Sequence, residues 1–244
     1  MPQKADLLIF SGQSNMQGQT ECLPSPNPVI ENALEYKMLS NSLVPLKHPC
    51  GEDIGDSMLL MAHQGYGSLP PYFCRSYIEA AEIPVVAVHA ARGSTVIADW
   101  LPGTERYDAL ACKINAAERK MSEQFVLRSK YFIWLQGESD AIAGNTEAYY
   151  REKIVFFKNT LKKQFNIDKF MIIRVGRFTN DDRDFEIIRA QDKVCAMDSD
   201  FKMLTGASEE LLKSSHYVNP EAAGHYSNEG FRALGEIAGK ACFV

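Results

Sequence analysis

Apolar and polar residues along the chain fall into a repeating arrangement, in which five short apolar runs alternate with longer segments of helical period. The runs cover residues 6–10, 85–89, 131–135, 170–175 and 201–204, and all are rich in β-formers. Regular alternation of this kind predicts a parallel sheet joined by helical crossovers. Between the runs, Tyr107, Leu110, Ala111, Ile114, Met121 and Phe125 trace one apolar helical stripe. Tyr150, Ile154, Phe157, Leu161 and Phe165 trace a second, with Asn145 or Thr146 as its N-cap. Ser68 followed by Pro70 and Pro71 opens a helix running to about residue 82. A further helix covers 185–197, and the last starts near Ser227 and turns Phe231, Leu234, Ile237 or Ala238, and Ala241 inward. The stretch 21–67 is rich in Pro, Gly, Asn and Ser and has no clear period, so it reads as loop with short helical pieces at the rim of a site. The expected architecture is an α/β fold, an open five-stranded parallel sheet with helices on both faces. Ligands of such folds bind outside the carboxyl ends of the strands.

Composition narrows the function classes. With 244 residues, 45% of them hydrophobic, the chain can build one core, and a single domain over 1–244 is expected without disulfides or a structural metal. Lys and Arg number 26 against 31 Asp and Glu, a net charge of −5 with no basic block, which argues against a nucleic-acid partner. The first apolar run, 7–10, is too short for a signal-peptide core or a membrane span, so a cytoplasmic protein is expected, with no membrane partner. Cys22, Cys50, Cys74, Cys112, Cys195 and Cys242 are scattered with no Cys-x-x-Cys pair, the usage of buried free thiols.

The candidate chemistry lies at the strand ends. After the first run comes Ser11-Gly12-Gln13-Ser14-Asn15-Met16, where Ser14 enters a turn beside small residues. A serine so placed presents its hydroxyl near free backbone N–H groups as a nucleophile, or it caps a helix. After the second comes Ala91-Arg92-Gly93-Ser94-Thr95, in which Gly93 offers an N–H to an oxyanion or serves as a turn residue. After the third comes Gln136-Gly137-Glu138-Ser139-Asp140, an amide donor and two carboxylates within five residues, read either as site groups or as a solvated acidic loop. After the fifth, a polar loop ends in Gly224-His225-Tyr226-Ser227. His225 is the best base candidate, with His216 its rival in the same loop; His89 ends a strand, and His48 and His63 lie in the unassigned loop. Nucleophile, amide, carboxylate and imidazole on one rim of one sheet point to acyl transfer.

These segments also resemble a known family. Phe10 through Met16 resembles the first block of SGNH hydrolases of the sialate O-acetylesterase and acetylxylan esterase branch, carbohydrate esterase family six. Trp134 through Asp140 is similar to that branch's Trp-x-Gln-Gly-Glu-Ser-Asp block, Arg92 through Trp100 to its Arg-Gly-Gly-Thr-x-Ile-x-x-Trp segment, and His225 through Gly230 to its terminal block. The resemblance implies a three-layer α/β/α, flavodoxin-like fold and a serine esterase that removes O-acetyl groups from a carbohydrate without metal or organic cofactor. Ser14 would be the nucleophile and His225 the base, with the N–H groups of Ser14 and Gly93 and the Gln136 side chain as the oxyanion hole. Two positions depart from the pattern: Ser94 replaces a second glycine, and Ala222 stands where the family often has an aspartate three residues before the histidine. A triad base needs an acceptor on its other ring nitrogen. Glu138 is the first choice for it, Glu221 the second, and a backbone carbonyl, giving a Ser-His dyad, the third.

The expected substrate is a small O-acetylated saccharide of acetylated xylo-oligosaccharide or sialic acid type. Arg92 would read a substrate carboxylate or pair with Asp99 or Glu105, and Tyr36, Tyr66, Tyr72 and Trp100 would offer faces to a sugar ring or pack in the core. Other readings are a lipid esterase or thioesterase on the same scaffold, a non-catalytic sugar-binding relative with a degenerate triad, and a flavodoxin-like cofactor binder. The chain has no Gly-x-Gly-x-x-Gly loop, which counts against a dinucleotide.

Overall fold

The computed structural model describes residues 2–18, 25–26, 28–51 and 67–243, so Cys22, His63 and Tyr66 lie outside the described residues. Five parallel strands match the five apolar runs: β1 (Gln3–Gly12), β4 (Val85–Ala91), β5 (Phe125–Leu135), β6 (Lys169–Ile173) and β7 (Phe201–Thr205). Among the described residues the sheet has seven strands, with β2 at Ala33–Lys37 and β3 at Ser42–Pro45, in the order β3-β2-β4-β1-β5-β6-β7. The two additional ones, β2 and β3, come from the stretch read as loop. β2 runs parallel to β4, and β3 returns antiparallel to it at the edge. Each is short and partly exposed, so neither carries the continuous apolar run of a central parallel strand.

The helices bury the stripes expected of them, with one shift at a boundary. They are α1 (Ser14–Gln17), α2 (Leu69–Ala81), α3 (Glu105–Met121), α4 (Glu138–Ile142), α5 (Glu147–Phe165), α6 (Arg183–Met197), α7 (Ser208–Leu211) and α8 (Asn228–Lys240). Thr146 caps α5 by accepting the Tyr149 N–H, a contact typically worth about 1 kcal/mol. In α8, Ala238 is fully buried and Ile237 exposed. α3 ends at Met121, and Phe125 begins β5 instead of closing the stripe, because 125–130 alternate in burial as they pair with the start of β1. Polar Arg128 and Lys130 hide that alternation in the sequence.

Aromatic packing fixes both layers. Phe132, Trp134, Phe157 and Phe170 interlock on one face, with Phe132 and Phe170 centroids 4.9 Å apart, while Phe10 meets Phe73 of α2 edge-on at 5.1 Å on the other. Each such ring contributes about 1.5–3 kcal/mol through burial. Among the described residues no helix is long and apolar enough to cross a membrane, and the described cysteines are free thiols, of which Cys112 is exposed against expectation.

β1 lies at the centre, flanked by β4 and β5, so the carboxyl ends of these three strands meet at one rim. Gly12 makes the exit from β1: its φ is +141°, and a Cβ there would stand 2.0 Å from the Leu135 carbonyl oxygen. Just beyond it, the Gln13 N–H donates to Leu135 O and the Arg92 N–H donates to Gly12 O, at 3.0 and 2.9 Å.

Candidate active site

Ser14 is the first residue of α1, and its side chain does not cap that helix. Its Oγ lies 2.8 Å from Nε2 of His225, across 211 positions of sequence. The His225 Nδ1 lies 3.1 Å from the carbonyl oxygen of Ala223, which can only accept, so Nδ1 carries the proton and Nε2 turns its lone pair to Ser14. Burial holds the His225 ring below its ordinary range, opposed by the Ala223 and Ala222 carbonyls, so the imidazole is neutral near pH 7 and able to take a proton. Phe178 meets the same ring edge-on at 5.6 Å. It also fills the space a side chain would need at position 224, where Gly224 has φ +74° and a Cβ would lie 2.3 Å from the Phe178 ring.

Several expected roles require correction. Glu138 makes no hydrogen bond to His225: its Oε1 accepts from Asn15 Nδ2 at 2.9 Å, and its Oε2 has no hydrogen-bond partner. Glu221 is exposed at the loop surface. The acceptor on the imidazole is a backbone carbonyl, the dyad arrangement. Gln136 is fully buried and spends both amide protons, on Thr95 O at 2.9 Å and on Asp140 Oδ2 at 2.6 Å, while its Oε1 accepts from Tyr150 Oη. No donor remains for an oxyanion, so Gln136 braces the loops beneath the rim. Trp100 is also core: it is buried against Trp134 at 5.5 Å and donates to Thr95 Oγ1, with no face for a sugar. Tyr36 is buried and bound to Asn41, and Tyr72 is buried beside His48.

The Gly93 N–H lies at this rim, donating to Gln17 Oε1 at 2.6 Å. Beside it opens a polar cleft of about 380 Å³ whose lining includes Arg92, Ser94, Asp99, Thr104 and Arg106. The other histidines are placed differently. His216 is exposed, with its ring against Tyr217; His48 accepts the Ser68 N–H and burial takes it down to about 4; His89 contacts the Met16 carbonyl and burial takes it down to about 3. Asn15, Gln17, Phe178 and Ala223 were not singled out from the sequence. Asn15 and Gln17 sit in the first block as polar residues too many for a buried turn, whereas a backbone carbonyl such as that of Ala223 leaves no trace in residue identity.

A protein-family model described as "Carbohydrate esterase, sialic acid-specific acetylesterase" matches residues 4–243. The chain belongs to this sialic acid-specific acetylesterase family. It is therefore a carboxylic ester hydrolase. No curated protein sequence matches the chain. Its fold is similar to that of an Arabidopsis thaliana protein, at 15% identity and a TM-score of 0.74, covering 100% of this chain and 98% of the other. It is also similar to NanS, at 16% identity and 0.67, covering 99% and 97%. A carbohydrate acetylesterase from Xanthomonas citri aligns at 14% identity and 0.59, covering 97% of this chain and 55% of that one.

Proposed function

We propose that this acetylesterase removes O-acetyl groups from a small saccharide through an acetyl-Ser14 intermediate. The observation that carries the reading is the 2.8 Å contact between Ser14 Oγ and His225 Nε2. His225 takes the hydroxyl proton as Oγ bonds to the acetyl carbon, and the carbonyl π electrons move to oxygen. Ser14 opens α1, so its N–H has no partner within the helix, and with the Gly93 N–H it receives the oxyanion once the substrate displaces Gln17 Oε1. Collapse of the tetrahedral species breaks the bond to the sugar oxygen, which takes the proton from His225. Water then attacks the acetyl-enzyme by the same route and acetate leaves.

The saccharide side of the substrate lies in the polar cleft beside Gly93, with Arg92 as its cationic wall. The described aromatic candidates are buried, so the sugar is held by hydrogen bonds and charge instead of stacking. The same lining carries Asp99 and Glu105, so an acetylated sialic acid, which bears a carboxylate, is accommodated only where that carboxylate meets Arg92 or Arg106.

The test follows acetate release from both sugars and from p-nitrophenyl acetate. Ser14→Ala is expected to lower kcat by about 10⁴-fold or more with the fold retained. Equal turnover by the variant removes the serine assignment, and a preference for long acyl esters over acetyl esters removes the saccharide reading.

A further inference from the structure

We propose that Asn15 is the positioning residue of this site, its amide bridging the buried Glu138 carboxylate to the Gly224 carbonyl and thereby fixing the loop that aims His225 at Ser14. The proposal rests on the esterase reading above. Asn15 follows the nucleophile directly, so the clamp and the attacking oxygen share one short helical turn. Its Nδ2 carries two protons and places both: one on Glu138 Oε1 at 2.9 Å, the other on Gly224 O at 3.1 Å. One side chain thus joins α1, the first residue of α4 and the His225 loop, segments 123 and 209 positions away in sequence.

The amide cannot be turned over. Among the described residues its Oδ1 has no hydrogen-bond partner, and a flip would press that oxygen against a carboxylate and a carbonyl, two acceptors. Asn15 is therefore held by its donors alone, and Glu138 is what holds it. The carboxylate is almost completely buried, and among the described residues no Lys or Arg pairs with it. Burial pushes this carboxyl up from its ordinary value, and the Asn15 hydrogen bond is the first interaction opposing that, so the buried acid leans on the amide it meets. Here it anchors an amide whose second proton reaches the residue beside the catalytic ring.

The His225 loop has other ties, Asn219 N–H to His225 O at 2.8 Å and the His225 N–H to Ala222 O at 3.1 Å, but these lie within the loop itself. Phe178 supports the ring from one side without directing it, since an edge-on aromatic contact does not choose a tautomer. The Asn15–Gly224 bond joins the loop to the helix that carries Ser14. Without it, the Ala223 carbonyl would still face Nδ1 and buried Tyr226 would still seat the loop, but the loop would lose its bond to the helix that carries Ser14.

Four variants test this: Asn15→Ala, Asn15→Ser, Glu138→Ala and Glu138→Gln. Each is read by kcat and KM on p-nitrophenyl acetate, by thermal unfolding, and by the downfield proton resonance of the His225 Nδ1–H. Asn15→Ala and Glu138→Ala are expected to lower kcat about 10²-fold with KM little changed, the cost of a misplaced base, and to lose the Nδ1–H signal to exchange with water. Glu138→Gln keeps a carbonyl oxygen for Nδ2, so rescue to within about threefold of wild type is expected, with the signal retained. Should Asn15→Ala fail to fold, Asn15→Ser, too short to span both acceptors, carries the same expectation. A folded Asn15 variant with wild-type kcat and an intact Nδ1–H signal overturns the proposal, as does a fall in kcat with that signal unchanged. Wild-type protein without ester turnover would overturn the esterase reading instead, and the resonance would still report whether Asn15 holds the ring.

Discussion

Two histidines touch α1, and only one of them turns a ring lone pair toward a hydroxyl. His89 Nε2 lies 3.0 Å from the Met16 carbonyl and His225 Nε2 lies 2.8 Å from the Ser14 hydroxyl, so the same ring atom meets the same short helix in both. A carbonyl only accepts, which forces the proton onto Nε2 of His89 and makes that ring a donor. In His225 the carbonyl sits behind Nδ1, and the lone pair of Nε2 is left facing a hydroxyl. What separates the two imidazoles is which nitrogen meets the backbone, a choice made by the loop and not by the residue type, and the proposed base is the one whose Nε2 is left to a hydroxyl.

The largest test of that contrast is titration. Burial, with Lys113 adding to it, depresses His89 to about 3, whereas His225 is lowered less far from the ordinary value of 6.5. The His89 ring resonances are expected to stay in the neutral form between pH 5 and 8. Since the neutral imidazole is the active form of His225, kcat/KM should rise with pH through a midpoint below 6.5 and level off before neutrality. A His89 ring that protonates near 6.5, or a kinetic midpoint above 6.5, would erase the distinction.

The same contrast shows what the chain discloses in its sequence. The central strands were legible because β1, β4, β5 and β6 are buried on both faces near the rim and so read as unbroken apolar runs. β2 and β3 were not, because β3 at the sheet edge is only partly buried and β2 beside it mixes buried with half-buried positions and carries Glu35 and Lys37. Ser14, Gly93 and His225 could be singled out because each follows an apolar run in a loop and can supply a hydroxyl, an N–H or an imidazole to one rim. Roles that depend on direction were hidden: Glu138 and Gln136 lie at the expected strand end, yet one faces Asn15 and the other faces Asp140 and Thr95. Glu138 and Asp140 illustrate this within one short helix. Asp140 accepts from Ile97 N, Gln136 Nε2 and Asn145 Nδ2 on its two oxygens, whereas Glu138 leaves one oxygen without a partner.

Gln136 gives the next effect in size. Its side chain satisfies Thr95 O, Asp140 and Tyr150, so Gln136→Ala strands buried polar groups and is expected to cost about 2 kcal/mol of stability. Loss of an oxyanion donor would lower kcat by about 10²- to 10³-fold. A bracing role instead predicts less than about tenfold, because transmission to the rim is indirect. Urea unfolding with steady-state kinetics on the one variant separates the two, and a catalytic loss above 10² at unchanged stability would restore the donor role.

The smallest effect is expected at Gln17, and its sign is the informative part. The Gln17 carboxamide oxygen occupies the Gly93 N–H that the oxyanion needs, so substrate must break a hydrogen bond before the hole forms. A neutral hydrogen bond of this kind is worth about 0.5–1.5 kcal/mol net, which caps the gain from removing it at about tenfold. Gln17→Ala should therefore raise kcat/KM on p-nitrophenyl acetate by a few fold, with water taking the vacated place. If Gln17 were itself a donor to the oxyanion, the same substitution would lower the rate. The direction of the change thus tells whether the last side chain of the helix that bears Ser14 guards the hole or belongs to it.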